Sequence, residues 1–338
     1  MSVRASPIKS VVFGCTGVVG KLITTLLSEK ADIDNESKTC ITAVSRSGFI
    51  PALAHLPGVT CKAGDAKDAE QTIALCQGAQ VIYCSIGLPY NAATWERDFP
   101  VIVESMLNAA AASGTVLVWI DNLYMFGPEA AKSGIPMEEK SQDFTAYGRK
   151  PALRARLDRM LLDAAESGRC KVAIVRASDF YGPGVRNSSL GETFFPNIVK
   201  GTSAYLLGNP DVRHTYTYVP DLARAAVAVG EAGKDAWGRA WHCPNAPAQT
   251  TAEVLQLANS LAGNNKPASF VVLKGIMRAF LALFIPALRE MPEMSFVWEN
   301  DYLVDHTDFA ARFPDIVATP LREGLEETIR WWQAQENA

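Results

Sequence analysis

Gly14-Cys15-Thr16-Gly17-Val18-Val19-Gly20 is the stretch whose reading decides the fold. An apolar, β-branched run from Ser10 to Phe13 delivers the chain into it, and a helical pattern starts at Val18. In such a strand-loop-helix the first glycine permits a tight turn and the second lets backbone approach a pyrophosphate. The third allows close helix-to-strand packing. The anion then rests on the helix N-terminus, where unbonded N–H groups and the helix dipole favour negative charge. Gly14, Thr16, Gly17, Val18, Val19 and Gly20 are therefore expected to hold a dinucleotide.

Outward from this loop the pattern repeats as β-α units. Further strands are predicted at Cys40 to Val44, Val59 to Cys61, Gln80 to Cys84, Val116 to Ile120 and Lys171 to Val175. Helices are predicted at Val18 to Lys30, Lys67 to Cys76, Asp98 to Ser113 and Pro151 to Ser167. Strands that are apolar along their whole length suit a parallel sheet covered on both faces. The expected architecture is α/β, a doubly wound parallel Rossmann-type sheet with a smaller C-terminal α/β substrate lobe. The division falls into residues 1–176 for the dinucleotide and 177–338 for the substrate, interleaved with the last strands. After Arg176 the pattern loosens into short strands at Ala204 to Leu207 and Thr215 to Val219, with helices at Asp221 to Glu231 and Thr251 to Ala262.

The 338 residues carry a formal charge of -4, and the sequence has no Lys/Arg-rich run, so nucleic acid is not an expected partner. A small molecule is. Seven cysteines without a Cys-x-x-Cys pair, and an N-terminus without an apolar signal region, lead us to expect a cytoplasmic setting. The most apolar stretch, Phe270 to Leu288, is interrupted by Lys274, Arg278 and Pro286; it reads as a partly buried helix or a greasy lid, not as a membrane span. A homodimer is compatible with the chain. No His/Cys/carboxylate spacing suggests a metal, and no Gly-x-Ser-x-Gly elbow suggests a hydrolase.

The Gly-x-Thr-Gly-x-x-Gly form of the loop resembles extended and atypical short-chain dehydrogenases/reductases, the superfamily that includes sugar-nucleotide epimerases and dehydratases. Where an acidic residue would hold the ribose of NAD, this chain has Ser45-Arg46-Ser47, and a guanidinium flanked by hydroxyls suits a 2'-phosphate. NADP is thus expected over NAD. The resemblance further places Asp65 and Ala66 by the adenine and Ser85, Ile86 and Gly87 by the ribose. It sets Ser178 by the nicotinamide carboxamide, and Asp179 and Tyr181 at the substrate. Asp221 is expected to cap the helix that it precedes.

In the family a serine or threonine follows the fifth strand and a Tyr-x-x-x-Lys helix comes later, the tyrosine moving the proton and the lysine lowering its pKa and holding the ribose. Counting back from Gly127, Asn122 takes the serine position; its amide still donates to a carbonyl oxygen. The helix motif departs from the family, because Pro151 stands four residues after Tyr147. In one register Tyr147 is the acid and Lys150 its partner. In the other, aligned on Asp158, Lys150 replaces the tyrosine and Arg154 the lysine, and residues four apart share a helical face. Tyr124 is a third candidate donor.

Three functions are compatible with these residues. The leading expectation is an NADPH-dependent carbonyl or conjugated-alkene reductase acting on a small, fairly apolar molecule. The alternatives are a sugar-nucleotide epimerase or dehydratase that recycles tightly held NAD, and a non-catalytic NADP(H) sensor.

Overall fold

Six strands follow the apolar runs, with helices between all but β2 and β3, in a computed structural model that describes residues 9–33, 40–273, 283–284 and 286–336. The strands are β1 (Lys9–Phe13), β2 (Cys40–Ser45), β3 (Val59–Ala63), β4 (Val81–Cys84), β5 (Val116–Asp121) and β6 (Lys171–Arg176). The helices are α1 (Val18–Ile33), α2 (Ala69–Cys76), α3 (Ala92–Ser113), the short α4 (Gly127–Ser133) and α5 (Arg149–Glu166). Beyond them come β7 (Asp179–Tyr181), α6 (Phe195–Val199), β8 (Ala204–Leu207), β9 (Arg213–His214) and β10 (Tyr216–Tyr218). Next are α7 (Val219–Glu231), β11 (Arg239–His242), β12 (Gln249–Thr250), α8 (Thr251–Leu261) and β13 (Phe270–Leu273).

β11 returns to pair with β6, giving a parallel sheet of order β11-β6-β5-β4-β1-β2-β3. Alternate residues of the inner strands feed opposite cores, while the edge strand β3 packs only Val59 and Cys61 on one of them. Val12, Val118 and Val175 meet Ile23 and Leu27 of α1 and Leu222 and Ala226 of α7. Val11, Leu117 and Ile174 meet Phe99 and Met106 of α3 and Leu157 of α5. Apolar side chains on both faces explain why the strands show no polar alternation. The order reverses between β1 and β4, and a doubly wound sheet opens its ligand crevice at that point, beyond the strands' C-terminal ends.

Several helix starts differ from expectation: α2 begins at Ala69 and not Lys67, and three others also shift. α3 begins six residues before Asp98, because Asn91 is its cap: the side-chain carbonyl accepts from the Thr94 N–H at 2.9 Å. Pro100 is therefore inside the helix rather than at its start. α5 begins at Arg149, with Gly148 at φ +96° before it. Pro151 still falls in the first turn, where its missing N–H costs nothing. Asp221 is not a cap either; α7 starts at Val219, and the Asp221 carboxylate accepts from the Thr319 N–H (2.7 Å) and hydroxyl (2.8 Å).

Short strand pairs follow the main sheet: β7 with β10, β9 with β12, and β8 with β13. Phe270–Leu273 is thus strand, not helix. Residues 274–282 and 285, most of the expected greasy lid, lie outside the described residues. No helix among the described residues is long and apolar enough to cross a membrane.

Candidate active site

The glycine loop is shaped by contacts that exclude side chains. Gly14 sits at φ +87°, and a Cβ on it would fall 2.7 Å from the Ser85 carbonyl carbon at the end of β4. A Cβ on Gly20 would lie 2.5 Å from the Gly14 carbonyl oxygen. Gly17 donates its N–H to that same oxygen at 2.9 Å, and Thr16 and Gly17 are exposed over the start of α1. Glycine therefore brings three pieces of backbone together beneath an open helix N-terminus. Gly184, at φ +83°, comes within 3.3 Å of Val18 by the same test, so the segment after β7 closes on the loop.

Around this cradle, Ser45 ends β2 with a buried hydroxyl that has no hydrogen-bond partner. Arg46 beside it is exposed, while the Ser47 hydroxyl accepts from the Phe49 N–H at 3.2 Å. The Asp65 carboxylate holds its own loop through the Lys67 N–H (3.0 Å), with Ala66 buried beneath. Ser85 donates to the Phe13 carbonyl (3.1 Å), and Ile86 and the exposed Gly87 continue along the crevice. Ser178 has a second buried, unpartnered hydroxyl. An excluded-volume cradle bordered by orphaned hydroxyls fits a dinucleotide lying along the ends of β1, β2 and β4.

The catalytic candidates separate. Tyr147 lies before α5 and is 76% exposed, outside the group that the structure brings together. Lys150 is 0% exposed; its ammonium bonds Glu293 Oε1 (2.7 Å) and Glu290 Oε2 and stands 4.8 Å over the Tyr90 ring. Arg154, one turn on, donates to Asp121 Oδ1 at 2.9 Å, its guanidinium 4.6 Å from the Trp95 ring and 4.2 Å from Phe99. Beyond it Asp158 makes a buried bidentate pair with Arg176 (2.8 and 2.9 Å). Lys150, Arg154 and Asp158 thus share one face of α5, where they are engaged by Glu290 and Glu293, by Asp121 and by Arg176 respectively. Arg154 is held by Asp121 and two aromatic faces, while its buried Nε has no hydrogen-bond partner.

Asn122 and Tyr124 occupy the turn after β5, where the Asn122 side chain accepts from the Tyr124 N–H at 3.1 Å. Burial, with neighbouring Tyr90, Asp179 and Tyr302, raises the Tyr124 hydroxyl well above its ordinary pKa, and Arg154 acts weakly against them. Asp179, at the start of β7, accepts from the Trp298 indole N–H and the Ser189 hydroxyl, both at 2.7 Å. His214 Nε2 is 3.6 Å from the same carboxylate, and burial lowers its pKa, so it is neutral near pH 7. The Tyr90 and Tyr302 hydroxyls and His214 Nε2 are buried without hydrogen-bond partners. Trp298, Tyr302, Tyr90 and His214 were not singled out as site residues from sequence, because they come from three segments far apart in the chain.

Tyr181, expected at the substrate, is instead core. It is 1% exposed, packs 5.3 Å from the Tyr218 ring and fills the space left by Gly324 of the C-terminal helix Leu321–Glu336. Among the described residues no cluster of His, Cys, Asp and Glu is arranged to hold a metal ion.

Residues 10–241 match the NAD dependent epimerase/dehydratase family. The chain belongs to that family. Its members are NAD(P)-dependent enzymes of the short-chain dehydrogenase type, and the parallel sheet and glycine cradle are this family's architecture in the present chain. Solved structures agree in fold. The dTDP-glucose 4,6-dehydratase of Bacillus anthracis, in complex with NAD, superposes with TM-score 0.78 at 15% identity over 98% of each chain. DesIV, a dTDP-glucose 4,6-dehydratase from Streptomyces venezuelae, gives 0.77 at 16% identity over 98% of each. The UDP-glucuronic acid 4-epimerase of Bacillus cereus gives 0.75 at 12%, over 97% of this chain and 99% of that one. No curated protein compared with the chain matches it significantly.

The family match overturns the leading expectation of an NADPH-dependent carbonyl or alkene reductase for an apolar molecule, and favours the epimerase/dehydratase alternative. The site supplies the physical reason. Its inner wall carries a carboxylate, tyrosine hydroxyls and an imidazole nitrogen, several of them unpartnered, and such groups are costly to bury against an apolar ligand.

Proposed function

We propose that this family member acts on a sugar nucleotide, by epimerase- or dehydratase-type chemistry in which the nicotinamide dinucleotide is recycled and not consumed. The carrying observation is the set of buried polar atoms around Asp179: a hydroxyl-rich substrate would satisfy the Tyr302 hydroxyl and His214 Nε2, which accept and donate nothing within the protein, and would reach the Tyr90 hydroxyl beside Tyr124. When bound, the dinucleotide supplies a hydride acceptor and returns the hydride later.

In this reading residues 1–176 carry the dinucleotide and 177–338 the substrate side. Gly14, Gly17 and Gly20 admit the pyrophosphate, and Ser45 and Ser178 offer hydroxyls to the ribose and carboxamide ends. Arg46 offers its fork to a 2'-phosphate, so NADP is accepted. Asn122 orients a substrate oxygen. Tyr124 stays protonated and gives a proton to that oxygen, while Asp179 accepts one as base. Tyr147 is too exposed, and Lys150 too enclosed, to replace it. Arg154 holds β5 and α5 together through Asp121.

The test is to incubate purified protein, NAD or NADP, and a panel of UDP- and dTDP-sugars, and to follow products by NMR. A 4-epimer or a 4-keto-6-deoxy sugar formed without net change in cofactor supports the reading. Protein that binds cofactor and transforms none of the panel refutes it.

A further inference from the structure

Lys150 is buried by a segment distant in sequence. Residues 286–294 contribute two carboxylates to the start of α5 and α3. Glu290 bonds the Lys150 ammonium and accepts from the Ala92 N–H (3.0 Å) and the Asn91 side chain (3.2 Å) at the α3 N-terminus. Glu293 bonds Lys150 at 2.7 Å and accepts from the Arg149 N–H, so it caps α5 from outside the helix. A Cβ on Gly148 would come within 2.7 Å of Glu293 Oε2, so glycine at this cap is what admits the carboxylate. Two helix N-termini and one lysine are thus closed by two glutamates.

The same segment forms a wall of the polar pocket. Just after Glu293, Met294 and Val297 are buried against Leu123, Met125 and Phe126, and Trp298 donates to Asp179. Partial burial pushes the Glu290 carboxyl up, but the Lys150 ammonium, the Ala92 N–H and Arg149 together hold it below the usual carboxylate range. Tyr90, under the lysine, feels both glutamates and Asp179. The segment is fastened at its leading end through charge.

We propose that residues 286–294 are a latch over the substrate side of the site, fastened on Lys150 by Glu290 and Glu293, and that it must release Lys150 to admit substrate. The lysine is then a fastening and not a proton donor, which explains why the tyrosine of the family motif is absent from its position. The proposal rests on the reading above only in placing the substrate beside Tyr124 and Asp179.

The test reads the lysine itself and needs no turnover. Reductive methylation of the intact protein, quantified peptide by peptide, compares Lys150 with the exposed Lys67. Wild type should modify Lys150 more than tenfold more slowly than Lys67, and Glu290→Gln with Glu293→Gln should raise the Lys150 rate at least tenfold without changing that of Lys67. Because the double variant could fail to fold, Glu290→Gln alone and Lys150→Met are measured too. The first should raise the Lys150 rate severalfold, and the second should speed hydrogen exchange at the Ala92 and Arg149 amides relative to Thr94. Lys150 as reactive as Lys67 in wild type, or unchanged rates and exchange in the variants, overturns the latch. Failure of the sugar-nucleotide panel leaves these readouts unaffected, so the two proposals fail separately.

Discussion

Replacing Gly20 by alanine puts one methyl group where the structure has no room. The new Cβ would stand 2.5 Å from Gly14 O and 2.7 Å from Gly14 C, both backbone atoms, against an ordinary contact beginning at 3.4 Å. The shortfall of 3.4 − 2.5 = 0.9 Å cannot be absorbed by a side-chain rotation, so the loop and α1 must separate. Overpacking of this kind costs about 1–3 kcal/mol of stability. Moving the loop also misplaces the N–H groups aimed at the pyrophosphate, and a hydrogen bond to a charged group contributes about 1.5–3 kcal/mol. Losing one weakens dinucleotide affinity roughly 10- to 150-fold.

Gly114→Ala is the matched control. Gly114 ends α3 at φ +66° with nothing within 4 Å of its would-be Cβ, so alanine there meets only backbone strain of about 1–2 kcal/mol. Calorimetric titration of NADH and NADPH into both variants, with melting curves alongside, separates the effects. Both should melt below wild type, and only Gly20→Ala should bind weakly. If Gly20→Ala binds dinucleotide as wild type does, the cradle has been misassigned.

Three further outcomes are expected. Arg46→Ser should raise the NADPH dissociation constant roughly tenfold or more and leave that of NADH within about twofold; equal effects on both would remove the 2'-phosphate role. Tyr124→Phe should lower turnover on a sugar nucleotide by about 100-fold or more with cofactor affinity unchanged, as titration and rate measurements would show; retained turnover would disprove the acid role. The third concerns pH. Burial depresses buried His242 from 6.5 to about 3, with Arg176 adding to the effect. Below pH 6.5 the unfolded chain takes up a proton that the folded one refuses, so stability falls with pH. At pH 5 that amounts to 6.5 − 5 = 1.5 units, about 2 kcal/mol. Glu139 and Asp158, whose buried carboxyls are raised, act with the opposite sign, so the readout is the difference in pH dependence between wild type and His242→Gln. Calorimetric melts at pH 7.5 and 5 should show a shallower acid loss in the variant, and parallel curves would contradict the assignment.

The sheet was legible because its information is local. Each strand from β1 to β6 is a short apolar run set off by turn residues, and the glycine spacing marks the loop without needing any distant partner. The start of α3 was placed at Asp98, six residues late, because the operative signal, the Asn91 cap, was not used. The site was less legible. Asn122 and Tyr124 follow directly from β5, and the shared face of Lys150 and Arg154 follows from helical spacing. Tyr181 was misread because its burial depends on Gly324, more than a hundred residues on. The polar ring around Asp179 draws on Tyr90, His214, Trp298 and Tyr302, which only the fold brings together. An apolar substrate was accordingly expected from the greasy 270–288 run, when the wall facing Asp179 is polar.

The central claim is that a dinucleotide held on the Gly14–Gly20 loop is recycled during chemistry on a polar, hydroxylated substrate. It is tested most directly by following absorbance at the reduced-nicotinamide band while one equivalent of UDP-glucose or dTDP-glucose is added to protein loaded with oxidised cofactor. The account predicts a transient rise that decays as product forms, with the cofactor recovered oxidised. A flat trace with every sugar nucleotide, together with steady net oxidation of NADPH by an apolar aldehyde or enone, would contradict it.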